Sequence, residues 1–70
     1  MSEAAIQTTG TILEHRGGIL YMVGLMNGKV VFGHLSKALT DAKAEFPDGA
    51  NVRLEMTPYD FDQARILGNA

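Results

Sequence analysis

The chain has 70 residues, 46% of them hydrophobic and 20% charged, with two prolines, no cysteine and no tryptophan. That length builds one core and buries only about 60% of the surface the unfolded chain exposes, and the missing cysteines exclude disulfide staples, thiol nucleophiles, thiolate zinc sites and iron–sulfur ligation. Six basic against eight acidic side chains give a formal charge of −2, the wrong sign for the usual attraction to nucleic acid or anionic lipid.

Met1 to Ile6 lacks the basic and hydrophobic regions of a signal peptide, and no apolar run approaches the roughly 20 residues that cross a bilayer, so a cytoplasmic protein with no membrane partner is expected. Alternation of apolar and polar residues predicts a first strand over residues 5–14, with Gly10 as a bulge or sharp bend. Gly17-Gly18 reads as a loop, residues 19–26 as a second strand, and Asn27-Gly28 as a two-residue type I′ hairpin returning a third strand over 29–35. Ser36 is a candidate N-cap, and Leu35, Leu39, Ala42 and Phe46 recur at helical spacing, which predicts a helix from Lys37 to Glu45 stopped by Pro47-Asp48-Gly49. Residues 51–57 alternate again, with Val52, Leu54 and Met56 on one face and Arg53 and Glu55 on the other. Thr57-Pro58-Tyr59-Asp60 reads as a turn and Ala64 to Gly68 as a short last strand.

The order of three strands, a helix and two strands points to an all-β domain spanning residues 1–70, with 1–4 and 69–70 frayed. The expected architecture is a five-stranded antiparallel Greek-key barrel of the oligonucleotide/oligosaccharide-binding (OB) type, with one short helix between strands three and four. An SH3-like barrel is the runner-up.

Gly10-Thr11-Ile12-Leu13-Glu14, Asn27-Gly28 with Val30-Val31, His34-Leu35-Ser36, and Thr57-Pro58-Tyr59-Asp60 with Arg65-Ile66 together carry a resemblance. In order and spacing, without a gap from about Ile6 to Ile66, the chain resembles the bacterial translation initiation factor one family, as a diverged and acidic member. The resemblance implies an OB barrel that binds the small ribosomal subunit in the aminoacyl-tRNA site, contacts its ribosomal RNA and works with the other initiation factors. It marks His34, Tyr59, Asp60 and Arg65 as candidate RNA-contacting or site-shaping residues. The family's basic segment after His34 is replaced by Lys37, Ala38, Leu39, Thr40 and, further on, Glu45, and its basic tail by Leu67-Gly68-Asn69-Ala70. Each lost phosphate contact removes about 0.7 to 0.9 from the slope of log affinity against log salt. Lys37 remains as a candidate RNA contact.

Period two sends Tyr21, Val23 and Leu25 inward and Leu20, Met22, Gly24 and Met26 outward, with Val31, Gly33 and Leu35 inward and Val30, Phe32 and His34 outward. Phe32 is therefore a candidate to stack on a base, against the plainer reading of a packing aromatic. Leu20, Met22, Met26 and Phe32 are a candidate protein interface, including a homodimer through the face of strands two and three. The alternative function is accordingly an OB-fold protein-interaction or self-associating module with weak or no RNA binding. His34 and Ser36 lack a third partner for nucleophilic catalysis, and His15 with Glu14 shows no metal spacing. Asp60 and Asp62 read as turn formers and solvating charges, so neither an enzyme nor a cofactor is expected.

Overall fold

The computed structural model describes residues 6–57 and 60–70, the side chains of Thr57, Asp60 and Phe61 lying outside that description. The elements are β1 (Ile6–Gly17), β2 (Leu20–Leu25), β3 (Val30–Leu35), α1 (Lys37–Asp41), β4 (Asn51–Thr57) and β5 (Asp60–Asn69). They close into a barrel in the order β1-β2-β3-β5-β4, the expected OB architecture. Among the described residues no helix is long and apolar enough to cross a membrane.

One seam departs from the antiparallel expectation: β3 and β5 run parallel, with His34 opposite Arg65 and Leu35 opposite Ile66. The reason is topological. Strand directions cannot alternate all the way round a ring of five, so one adjacent pair must run the same way. The other four pairings are antiparallel.

The alternation read from the sequence places the core. Val52, Leu54 and Met56 of β4 are buried, as are Tyr21 and Val23 of β2, Val31 and Leu35 of β3, and Ile12, Ala64 and Ile66. Gly10 is not the break expected in β1: it pairs with Leu25 on one side and with Val52 on the other, where the strand is shared between two neighbours. The bulges fall after Ile12 and after His15, so Leu13 and Arg16 are the extra residues, and the local bend they introduce lets one strand pair with two partners.

The hairpin between β2 and β3 has three residues in its loop rather than two. Leu25 N–H donates to Lys29 C=O at 2.8 Å and Gly28 N–H to Leu25 C=O at 2.9 Å, while Gly28 alone of the pair Asn27-Gly28 has positive φ, at 88°. This is a turn closed by a glycine in the left-handed region, with the Asn27 side-chain oxygen accepting from Lys29 N–H at 2.9 Å. The extra residue matters for the faces. A two-residue loop pairs inward Leu25 with outward Val30, whereas the three-residue loop pairs Gly24 with Val30 and Met22 with Phe32.

The helix is shorter than its spacing predicts. Ser36 caps it as expected, its Oγ accepting from Leu39 N–H at 3.3 Å, but Ala42 is the C-cap and Lys43 turns to φ 56°. Lys43 N–H donates to Thr40 C=O and Ala44 N–H to Leu39 C=O, the paired bonds that close a helix on a left-handed residue. The helix therefore ends before Pro47 is reached, and Phe46 meets the core from the following loop beside Leu39 of α1. At that end of the barrel the His15 and Tyr21 rings stack at 4.3 Å, and Phe46 meets Tyr21 edge-on at 6.2 Å.

The last strand is longer at both ends than Ala64–Gly68. Asn69 pairs with Val52, and Ala70 N–H donates to Asn51 C=O at 3.0 Å, so the final two residues, expected to fray, are tied to β4.

Candidate nucleic-acid interface

The outer face of the barrel is built from cross-strand rows, because residues directly opposite in register point to the same side. One row runs Leu20, His34, Arg65, Glu55 and Gln7 across β2, β3, β5, β4 and β1. The adjacent row brings Glu14, Met22, Phe32 and Gln63 together across β1, β2, β3 and β5. Three of the expected RNA-contacting residues, Phe32, His34 and Arg65, thus share one surface. Lys37 lies apart from these rows, in the first turn of α1, with its Nζ 3.0 Å from Asp41. Tyr59 and the Asp60 side chain lie outside the described residues; the Asp60 backbone stands opposite Thr57.

The face divides by chemistry. Its β3–β5–β4 part carries an imidazole, a guanidinium, an amide and a carboxylate. Its β2–β3 part is apolar: Leu20, Val30 and Phe32 remain 37%, 45% and 44% exposed, and Leu13 of β1 remains 47% exposed, while Glu14 of β1 stands directly opposite Met22 and borders this area with a charge. A Cβ built on Gly24 would stand 3.3 Å from Leu13 Cδ1, so Leu13 covers the bare backbone of that glycine. Leu13 is not in the expected patch, since alternation does not reveal which cross-strand gap a bulged residue fills. Met26, expected on this face, sits in the hairpin loop and is almost wholly exposed.

The charges are not free on this surface. Arg65 Nη1 donates to Glu55 Oε1 at 3.3 Å, and Arg16 Nη1 to Glu14 Oε2 at 3.1 Å. Lys29 Nζ stands 3.5 Å from Asp62, and Arg53 Nε donates to Asn69 C=O at 3.2 Å. Arg16, Lys29 and Arg65 are thus each neutralised locally by a carboxylate seated beside them. Glu55 and Gln63 are parts of the site that sequence reasoning misses, although the alternation of Arg53 and Glu55 already places the carboxylate on the outer face.

No model of a known protein family matches the sequence. Among solved structures, the solution structure of translation initiation factor one from the Wolbachia endosymbiont strain TRS of Brugia malayi superposes with a TM-score of 0.76. The match covers 94% of this chain and 78% of that one, at 22% sequence identity.

The chain has the fold of translation initiation factor one. At this identity the shared property is the fold, and the chemistry of the outer face belongs to this chain's own residues.

Proposed function

We propose that the protein is a non-catalytic, cytoplasmic RNA-binding module of the initiation-factor-one type that docks on the small ribosomal subunit. The reading places it in the aminoacyl-tRNA site, in contact with ribosomal RNA and alongside the other initiation factors. Its main support is the juxtaposition of His34 with Arg65 across β3 and β5, with Phe32 in the next row. A guanidinium binds phosphate, an imidazole offers a hydrogen bond, and an aromatic face accepts a base, the combination that RNA-binding OB domains use. The ion pair to Glu55 does not block this role, because Arg65 is 56% exposed and exposed pairs contribute only about 0–1 kcal/mol. No bond is broken in the proposed function; binding occludes a site.

Sedimentation with purified small ribosomal subunits tests it. Co-pelleting at low salt that weakens as salt rises is the expected result, and failure to pellet at low salt ends the ribosomal reading.

One observation favours a second reading, a protein-binding or self-associating OB module. Leu13 over Gly24, together with Leu20, Met22, Val30 and Phe32, makes an apolar surface centred on β2 and β3 and bordered on β1 by Glu14, opposite Met22. Analytical ultracentrifugation of wild type against Met22→Glu tests this: a concentration-dependent dimer abolished by the glutamate supports it, and a monomer in both, with no partner recovered, removes it.

A further inference from the structure

We propose that Glu55 is a built-in competitor for the RNA phosphate at Arg65, setting the affinity of the face below what its basic residues would otherwise reach. The inference rests on the RNA-binding reading above. Glu55 and Arg65 are directly opposite on β4 and β5, with Oε1 and Nη1 3.3 Å apart. The other neighbours in the row are His34, beside Arg65, and Gln7, beside Glu55. Glu55 is also the most enclosed of the carboxylates that pair with basic side chains here, at 27% exposure against 57% for Glu14, 65% for Asp41 and 84% for Asp62. Strand pairing keeps Glu55 opposite Arg65, so its carboxylate stays close to an anion arriving there.

Two physical consequences follow. A phosphate that takes Arg65 displaces a carboxylate, which then faces the new negative charge at close range. The counterion balance also changes: neutralising the phosphate releases a cation from the RNA, while the abandoned carboxylate recruits one, so this contact adds little to the salt slope. Replacing Glu55 by a neutral residue removes both effects.

The experiment titrates fluorescently labelled oligouridylate across a salt series with wild type, Glu55→Gln, Arg65→Gln and the double variant, and repeats the set by sedimentation with small ribosomal subunits. Glu55→Gln is expected to bind the oligonucleotide about fivefold tighter at low salt, with a slope steeper by about 0.7, the share of one single-strand phosphate contact. The gain must vanish in the double variant. Glu55→Thr, neutral and suited to a strand, must show the same gain, which guards against a folding defect in one variant. Unchanged or weaker binding by both neutral variants overturns the proposal, as does a gain that survives Arg65→Gln or an absence of oligonucleotide binding by every variant. An oligonucleotide gain with no pelleting of subunits keeps the competitor and removes the ribosomal reading. Wild-type pelleting with no gain in either assay does the reverse.

Discussion

At Gly10 the β1 backbone passes so close to Val23 that a Cβ there would stand 2.6 Å from Cγ1, and 2.9 Å from Leu54 Cδ1 on the opposite side. The approach arises where β1 is shared between β2 and β4. Val23 is β-branched and stiff, so it cannot turn aside cheaply. Gly10→Ala is therefore expected to destabilise the fold by about 1–3 kcal/mol, the usual cost of overpacking a filled core. Urea denaturation measures it; a midpoint equal to wild type would show that the wall yields.

Lys43 holds φ 56° where helix ends commonly place glycine. A side chain there costs roughly 1 kcal/mol against glycine. Lys43→Gly is expected to recover about 0.5–1 kcal/mol and to raise Tm by about 3–6 °C in a domain of this size. Differential scanning calorimetry checks the sign.

Tyr21 is fully buried, yet its hydroxyl accepts from Phe46 N–H at 3.3 Å. That bond anchors the loop after α1 to the barrel end. Tyr21→Phe is expected to cost about 0.5–1.5 kcal/mol, and to speed hydrogen exchange at the Phe46 amide more than at core amides such as Val31.

Phe32 stands beside Met22 and Gln63 on the outer face and is 44% exposed. If it stacks on a base, Phe32→Ala weakens oligoribonucleotide binding by an amount equivalent to about 1–3 kcal/mol. Anisotropy titration measures this. Unchanged affinity with lowered thermal stability would assign Phe32 to packing alone.

Much of the barrel is legible in the chain because period two is a local property. Val52, Leu54 and Met56 declare the inner face of β4 without knowledge of any neighbour, and Ser36 declares its cap through the donor it must satisfy. The features that alternation and spacing misplace depend on events between segments. Asn27-Gly28 is compatible with either loop length, and hydrogen bonding between Leu25 and Lys29 settles it. The helix carries apolar residues at the right spacing through Phe46, but Lys43 entering the left-handed region ends it sooner. The candidate site shows the same limit. His34 and Arg65 are each legible in the chain, while their adjacency and the pairing of Arg65 with Glu55 are not.

Composition and period-two alternation specify a small all-β domain, the inward and outward faces of its strands, and a deficit of positive charge in a chain resembling an RNA-binding family. Which outward residues meet depends on how the barrel closes. Strand faces follow from alternation along one segment, whereas cross-strand rows depend on loop length, on the bulges at Leu13 and Arg16, and on the closure of five strands that forces β3 and β5 to run parallel. That closure seats His34, Arg65 and Glu55 in one row, where the carboxylate neutralises the guanidinium at 3.3 Å.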